Sequence, residues 1–274
     1  MKKNNLFFFL VAIILVSCGS QKSNLGKYPD NSVINNGKLF ASFFQQKAAE
    51  YEALTQQAFN IARYRLAIAI AENVNEKPLA IVTDIDETFL NNSYYIAYCA
   101  NRKIDFTNQS WEDWTARGEA TPLTGALEFF KYAEKNGVQI FYVTNRSEAE
   151  RKGTELNLKR FGFPLQSQNH LIFKTAERSK ENRRLAIAKN HNIVLLLGDN
   201  LADFSKDFDE KTIAERSEAV RKNAALFGNK FIILPNFSYG DWERASYSKD
   251  SKLPYRKRDA IISNLIDENP KKYI

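Results

Sequence analysis

Short apolar runs alternate along this chain with longer segments in which apolar residues recur every three or four positions. Each short run is typical of a buried strand, and each periodic segment is typical of a helix with one apolar face. The runs predict five strands, at Leu79–Thr83, 138–144, 170–173, 193–197 and 230–234. Because strands and helices alternate, the pattern predicts an α/β fold built on a doubly wound parallel sheet.

Helical spacing is most extensive between residues 38 and 73, where it predicts one long helix or two shorter ones. Further along the chain, Ser147 and Glu150 have the spacing of a capping box, which predicts a helix that begins there and ends near Gly162. The other predicted helices are 125–136, 179–190, 210–227 and 259–267.

The stretch 91–122 is too long for a plain connection between a strand and a helix. We expect it to form a small helical cap together with the N-terminal helices in segment 38–78. The apolar content of 44% and the charged content of 26% are ordinary for a globular chain. The segment 38–274 is therefore expected to be one large domain that carries this cap.

The N-terminus has the features of an export signal. Two lysines precede an apolar run at 6–16, which is too short to span a membrane. The following Leu-Val-Ser-Cys-Gly resembles a bacterial lipobox, so we expect a signal peptide at 1–17, a lipid on Cys18 and a tether at 18–37. The alternative is an ordinary signal peptide with an incidental cysteine. The lipobox predicts an exported protein anchored in the cell envelope, in the outer membrane by the family resemblance given below.

Cysteine count and charge exclude some other classes. Cys99 is the only other cysteine, so a lipid on Cys18 would leave no intrachain disulfide. The formal charge of +7 falls to +5 without the two lysines of the signal, since 37 positive and 32 negative residues remain. This mild excess favours anionic ligands. The sequence shows no interleaving of basic and aromatic residues that would indicate a nucleic-acid module.

Two carboxylates follow the first predicted strand, since Asp84 and Asp86 are separated by one residue. Like charges this close disfavour joint ionisation unless a cation is near. Ligands of open α/β sheets bind outside the carboxyl ends of the strands. The pair therefore predicts metal-assisted chemistry at this edge of the sheet.

Further polar residues follow the other predicted strands. They are Thr144 and Asn145 after the second strand, Lys180 at a helix start after the third, and Asp199 and Asp203 after the fourth. Lys174 is an alternative to Lys180. These residues, in this order, resemble the four motifs of the haloacid dehalogenase (HAD) superfamily.

The resemblance is closer to the class C bacterial acid phosphatases, the lipoprotein 5′-nucleotidase family of bacterial outer membranes. It rests on Asp-Ile-Asp-Glu-Thr at 84–88 with Asn92 and Ser93, and on Gly-Asp-Asn-Leu-Ala-Asp-Phe at 198–204. Further similar segments are Gln-Ala-Phe-Asn at 57–60, Trp-Glu-Asp-Trp at 111–114, Leu-Pro-Asn at 234–236 and Tyr-Gly-Asp-Trp at 239–242.

The resemblance implies a Mg²⁺-dependent phosphomonoesterase that acts on nucleoside 5′-monophosphates and other phosphomonoesters. Asp84 would attack phosphorus and form an aspartyl-phosphate, and Asp86 would serve as general acid and base. Thr144 would hydrogen-bond a phosphoryl oxygen, and Lys180 would offset negative charge. The chain lacks the P-loop, Arg-His-Gly and Cys-x5-Arg signatures of other phosphatase mechanisms.

The implied Mg²⁺ ligands are the carboxylates of Asp84 and Asp199, with the backbone carbonyl of Asp86 and water completing an octahedron. Asp203 would bind the metal through water or orient one of its ligands. We expect Asn145 to contact substrate.

Trp111 and Tyr239 match the positions at which aromatic residues of the resembled family stack on a nucleobase, although both could instead be core aromatics. Two alternative functions remain open. The first is an acid phosphatase that acts broadly on sugar and aryl phosphates. The second is a non-catalytic binding lipoprotein. The oligomeric state also stays open.

Overall fold

A five-stranded parallel sheet lies at the centre of the fold. The computed structural model describes residues 29, 31–74, 77–247 and 253–267. The strands are β1 (Leu79–Thr83), β2 (Leu90–Asn91), β3 (Thr121–Pro122), β4 (Gln139–Val143), β5 (Leu171–Ile172), β6 (Asn192–Gly198) and β7 (Phe231–Ile233). The central sheet has the order β5-β4-β1-β6-β7, and all its pairings are parallel. The predicted α/β class and the five predicted strands are confirmed.

Successive residues of the central strands face two separate apolar clusters. In β1, Ile81 packs into the larger cluster and Val82 into the smaller one. In β4, Tyr142 packs into the larger cluster and Phe141 into the smaller one. This alternation follows from the two-residue period of a strand. Because both faces are covered, the strands read in the sequence as continuous apolar runs.

The part of the chain that the structure describes contains ten α-helices. They are α1 (Val33–Lys47), α2 (Ala49–Ala71), α3 (Ser93–Arg102), α4 (Asn108–Thr115), α5 (Ala126–Lys135), α6 (Arg151–Phe161), α7 (Glu181–Asn190), α8 (Ile213–Lys222), α9 (Asp241–Ser246) and α10 (Tyr255–Leu265). The sequence pattern did not predict α9.

The helical region predicted from residue 38 onward is two helices, separated at Ala48, whose backbone is extended. The first begins earlier than predicted, at Val33, because the Ser32 hydroxyl caps it by accepting from the Asn35 amide. Half of the predicted capping box is present, since the Ser147 amide donates to the Glu150 carboxylate at 2.6 Å, and it opens a short 3₁₀ turn before α6. Gly162 ends α6 in the left-handed conformation, at φ 74°.

The segment between β1 and α5 is the one for which the sequence predicts a cap, and we refer to it as the cap. It contains α3, α4 and the short antiparallel pair of β2 and β3. Of the two N-terminal helices, α1 packs on α3, whereas α2 lies with α5 on the sheet. The cap approaches α6 very closely, since a Cβ on Gly153 would lie 2.2 Å from the Thr115 carbonyl oxygen. Only glycine fits at that contact.

The predicted signal segment 1–17, Cys18 and the tether as far as residue 28 lie outside the described residues. Among the helices that are described, none has the length and apolar character needed to cross a membrane.

Candidate active site

Parallel pairing brings the polar residues that follow β1, β4 and β6 to one edge of the sheet. The Asp84 amide donates to the Leu197 carbonyl oxygen at 3.0 Å, which continues the pairing of β1 and β6 by one residue. Thr144 extends β4 in the same way, because its amide donates to the Ile172 carbonyl oxygen at 3.0 Å. The backbone alone therefore places Asp84, Thr144 and Asp199 on the same rim.

Three carboxylates converge at this rim. One oxygen each of Asp84, Asp199 and Asp203 lies within 4.8 Å of the others. The Lys180 ammonium group pairs with the carboxylates of both Asp84 and Asp203, at 2.6 Å in the second case. Four residues predicted from separate parts of the sequence thus form a single buried cluster. Lys174, the alternative to Lys180, is exposed.

The electrostatics of the cluster suit a divalent cation. Burial, opposed by Lys180, raises the pKa of Asp84 to about 6. Burial and the nearby Asp203 carboxylate raise the pKa of Asp199 well above its ordinary value. One ammonium group cannot neutralise three carboxylates, and carboxylate oxygens are the ligands that hard cations prefer. The cluster therefore fits the metal centre that the sequence predicts.

Side-chain amides orient the Asp199 carboxylate. Its Oδ2 accepts from Asn236 at 2.7 Å and from Asn200 at 2.8 Å. The Thr88 hydroxyl lies 3.5 Å from Asp199 Oδ1 and donates to Asp84 Oδ2 at 3.2 Å. The two amides thus hold Oδ2, and the Thr88 hydroxyl links Oδ1 to the Asp84 carboxylate. Asn236 belongs to a matching segment to which the sequence assigned no role.

Gly198 allows Asp203 to approach the end of β6. A Cβ at this position would lie 2.3 Å from the Asp203 Cβ and 2.4 Å from its Oδ2. The Asp203 carboxylate also accepts from the Asn200 amide at 3.0 Å, which closes a short 3₁₀ turn. The glycine of the matching segment is therefore required by packing at the carboxylate cluster.

The Asp86 carboxylate points away from this cluster and toward Arg146. The Arg146 Nη2 donates to Asp86 Oδ1 at 2.7 Å, and its Nε donates to Oδ2 at 3.0 Å. The Arg146 side chain is only 1% exposed and that of Asp86 is 15% exposed, so the pair lies largely away from water. The Asp86 carboxylate is therefore paired with Arg146 and does not belong to the group of three carboxylates.

Arg183 contacts both polar residues that follow β4. It donates to the Thr144 carbonyl oxygen at 2.6 Å and to Asn145 Oδ1 at 2.8 Å. The hydroxyl of Thr144 accepts from the Arg146 amide at 3.0 Å. Asn145 thus lies at the rim with its side chain held by an arginine.

Neither arginine was predicted from the sequence to belong to the site. Arg146 directly follows Thr144 and Asn145, so its place in that motif could have indicated it. Arg183 lies on α7 one turn after Lys180, and only the fold shows which way its side chain is directed.

The two predicted stacking residues contact the same aromatic cluster in the cap. Trp111 and Tyr239 both pack against Tyr95, Ile96 and Cys99. The Trp111 ring meets Tyr95 edge to face, with centroids 5.1 Å apart. The Tyr239 hydroxyl donates to the buried Glu87 carboxylate. Both rings are half-buried, so each combines a packing contact with some exposed surface.

The chain is similar to known proteins in both sequence and structure. A family model described as HAD superfamily, subfamily IIIB (acid phosphatase) matches residues 15–242. The class C acid phosphatase from Bacillus anthracis, solved with tungstate bound, is similar with a TM-score of 0.82 and 37% sequence identity, over 86% of this chain and 99% of that chain. A second structure of the class C acid phosphatase from that organism is similar with a TM-score of 0.83 and the same identity and coverage.

Two curated plant proteins are similar over shorter regions. Acid phosphatase 1 from Solanum lycopersicum is 31% identical over 131 residues, which cover 44% of this chain and 50% of that protein. The stem 28 kDa glycoprotein from Glycine max is 25% identical over 171 residues, which cover 58% of this chain and 62% of that protein. The chain therefore spans less than two thirds of the length of either relative.

Proposed function

The chain belongs to the HAD subfamily IIIB acid phosphatases, and we propose that it hydrolyses phosphomonoesters in two steps through an aspartyl-phosphate on Asp84. The observation that carries this proposal is the buried cluster in which Lys180 pairs with both Asp84 and Asp203. A carboxylate that is fixed, buried and partly neutralised can approach an anionic phosphate more readily than a solvated one.

In the first step, an Asp84 oxygen forms a bond to phosphorus as the bond from phosphorus to the leaving oxygen breaks. Asp86 gives its proton to that oxygen, so the product leaves as an alcohol. In the second step, Asp86 takes a proton from water, which attacks the same phosphorus. The bond to Asp84 then breaks, and inorganic phosphate is released.

Positive groups at the rim are available for the phosphoryl oxygens. Lys180 and Arg183 supply charge, and the Thr144 hydroxyl supplies a hydrogen bond. The tungstate in the Bacillus anthracis relative is an oxyanion, which supports an oxyanion site in this fold. A divalent cation, which we propose is Mg²⁺, would be held by Asp84 and Asp199 and would supply positive charge at the phosphate. Asp203 would orient that site through Lys180 and Asn200.

Nucleoside 5′-monophosphates are the proposed preferred substrates. Trp111 and Tyr239 both lie half-buried against one cluster, and half-buried rings can offer a face to a base. Stacking contributes about 1–3 kcal/mol per base and tolerates different bases. A broad preference for sugar and aryl phosphates is the second candidate, because the phosphate contacts alone do not distinguish leaving groups.

A phosphate-release panel tests the proposal. Wild type and Asp84→Asn are each assayed with nucleoside monophosphates, a sugar phosphate and an aryl phosphate, in Mg²⁺ and in chelator. We expect wild-type hydrolysis in Mg²⁺ alone, with nucleotides preferred, and none by Asp84→Asn. Equal rates on all substrates would favour the broad phosphatase. Tight phosphate-ester binding without hydrolysis would favour a binding lipoprotein.

The proposed location is the cell envelope, through a lipid on Cys18. The chain order of lysines, apolar run and Cys18 supports this proposal. Several acyl chains, at about 0.8 kcal/mol per buried methylene, would hold the protein stably on a bilayer. Fatty-acid labelling of cells that express wild type or Cys18→Ser should label only the former. Equal labelling of both would contradict the anchor.

A further inference from the structure

Asn92 lies at the centre of a buried hydrogen-bond network beside Asp86. Its side-chain amide Nδ2 donates to Asp86 Oδ1 at 2.9 Å, and its Oδ1 accepts from the Trp114 indole at 2.8 Å. Its backbone amide donates to Glu87 Oε1 at 2.7 Å. Asn92 has no exposed surface, so no solvent competes for these contacts. The network joins the loop after β1 to α4, the helix that carries Trp114.

These contacts fix the orientation of the Asn92 amide. Its NH₂ faces the Asp86 and Glu87 carboxylates, the latter at 3.4 Å, and its carbonyl oxygen faces the Trp114 N–H. The reverse orientation would set an oxygen against two carboxylates and a donor against a donor. Buried groups left unpaired in this way are costly. Trp114 and Glu87 therefore hold the Asn92 donor toward Asp86.

Glu87 is itself held in an unusual conformation. Its φ of 57° lies in the left-handed region that residues other than glycine rarely adopt. Its carboxylate accepts from the Tyr239 hydroxyl and from both amides of Asn92. Strained backbone persists only where surrounding contacts overdetermine it, and it is concentrated at functional sites. The strained backbone therefore belongs to the residue whose carboxylate accepts from Asn92.

The contacts on Asp86 are distributed unequally between its two oxygens. Oδ1 accepts from Asn92 Nδ2 at 2.9 Å, from Arg146 Nη2 at 2.7 Å and from Arg146 Nε at 3.2 Å. Among the described residues, Oδ2 accepts only from Arg146 Nε, at 3.0 Å. Arg146 Nε carries a single hydrogen and is nearer to Oδ2 than to Oδ1, so the two lone-pair positions of Oδ1 are taken by Asn92 Nδ2 and Arg146 Nη2, and none is left for a proton.

We infer that Asn92 is a positioning residue that, together with Arg146, reserves Oδ2 of Asp86 for the proton delivered to the leaving group. The inference rests on the proposed function, in which Asp86 is the general acid. When the bond from phosphorus to the leaving oxygen breaks, the proton on Oδ2 passes to that oxygen, which keeps the electron pair of the broken bond. Without Asn92, Oδ1 can carry the proton and the carboxyl group can rotate.

A comparison of two leaving groups gives a measurement that would not change if Asn92 had only a structural role. An alkyl phosphate must leave as an alcohol and needs the proton, whereas p-nitrophenyl phosphate can leave as a stable phenolate. The kcat/KM on glycerol phosphate, divided by the kcat/KM on p-nitrophenyl phosphate, therefore reports delivery of the proton, because kcat/KM does not include the later hydrolysis of the aspartyl-phosphate. A change that only lowers the folded fraction reduces both rates equally and leaves this ratio unchanged.

The experiment measures that ratio for five proteins. They are wild type, Asp86→Asn, Asn92→Leu, Trp114→Phe and Tyr95→Phe. Tyr95→Phe is the matched control, since it removes a 2.8 Å hydrogen bond to Ser110 in the same cap cluster without a link to Asp86. Trp114→Phe removes the indole N–H that orients Asn92, together with part of the ring, and leaves Asn92 itself in place, so it keeps the test usable if Asn92→Leu does not fold.

General acid catalysis contributes about 10²–10⁴-fold, so Asp86→Asn should lower the ratio by at least about 100-fold. We expect a loss of about tenfold for Asn92→Leu and about threefold for Trp114→Phe, as fractions of that general-acid contribution. Tyr95→Phe should leave the ratio unchanged. If the ratio falls in Asp86→Asn but is unchanged in folded Trp114→Phe and Asn92→Leu, the role of Asn92 is overturned and Asp86 remains the proposed general acid. An unchanged ratio in Asp86→Asn as well would overturn the proposed general acid and, with it, the inference.

Discussion

Two parts of the candidate site are built in different ways. One is the sheet rim, and the other is an aromatic wall made of Tyr95, Trp111, Trp114 and Tyr239. At the rim, Asp84, Thr144 and Asp199 stand together because parallel strands end there, and the backbone alone sets their places. The wall joins cap residues to a segment more than a hundred residues away, through contacts such as that of Tyr239 with Glu87. The chemistry therefore depends on topology, whereas the wall depends on individual side chains.

The two regions also differ in electrostatic balance. The rim confines three carboxylates around one lysine, so its charges are not balanced by the described protein groups of the cluster. The wall is made mainly of packed aromatic rings. A substitution at the rim should therefore abolish the reaction, and one at the wall should change which substrates react.

The largest expected effect comes from removing the proposed nucleophile at the rim. Asp84→Asn should lower kcat by at least about 10³-fold on every substrate, since loss of a covalent nucleophile costs other enzymes about that much or more. Asp207→Asn is the control, because Asp207 is exposed and lies outside the cluster. Steady-state phosphate release measures both, and turnover by Asp84→Asn close to wild type would refute the rim as the reaction centre.

A smaller effect is expected from crowding the rim without removing a charge. A methyl group in Gly198→Ala would overlap the Asp203 side chain, so Asp203 must move. Displacing residues that orient metal ligands costs about 10–100-fold in metal affinity or activity. Titration of activity with Mg²⁺ should show this loss. Gly37→Ala, which meets no atom within 4 Å, should behave as wild type.

A change in the wall should separate substrates rather than abolish turnover. Trp111→Ala should lower kcat/KM for nucleoside monophosphates by about tenfold, within the 1–3 kcal/mol range of base stacking. The kcat/KM for a small aryl phosphate should change little. Tyr64→Ala removes an aromatic ring that is 63% exposed on α2 and serves as control. An equal loss on both substrates would assign Trp111 to packing.

The smallest expected effect is a dependence of stability on pH in the metal-free protein. Burial and the Asp86 charge raise the pKa of Glu87 to about 8, and burial raises that of Asp84 to about 6. Such carboxyls bind protons more tightly when folded. Their stabilising contribution is therefore full below the unfolded pKa values and is lost as pH rises through the folded ones.

Thermal unfolding in chelator should accordingly give a higher Tm at pH 5 than at pH 8. Glu87→Gln cannot ionise, so its Tm should differ less between the two pH values. A Tm that rises from pH 5 to pH 8 in wild type, or an equal pH dependence in both proteins, would show that these carboxyls do not carry the effect.

How much the sequence predicts differs between the same two regions. The rim was predictable, because apolar runs mark strand ends and Asp84, Thr144 and Asp199 follow three of them. The sequence pattern alone does not decide whether Lys180 or Lys174 belongs to the carboxylate cluster, because the answer depends on where α7 packs. The partners of Asp86 were not predicted either, because the hydrogen bonds from Arg146 and Asn92 depend on side-chain orientation. The role of Gly198 required knowing that Asp203 folds back on it.

The central claim is that Asp84 becomes phosphorylated during turnover. Asp86→Asn should slow hydrolysis of the aspartyl-phosphate, so we would mix it with an aryl phosphate, quench in acid and map the phosphoryl group by mass spectrometry. The account predicts one phosphoryl group on the peptide that contains Asp84, and none after the same treatment of a variant that also carries Asp84→Asn. A phosphoryl group on another residue, or turnover by Asp84→Asn at the wild-type rate, would contradict it.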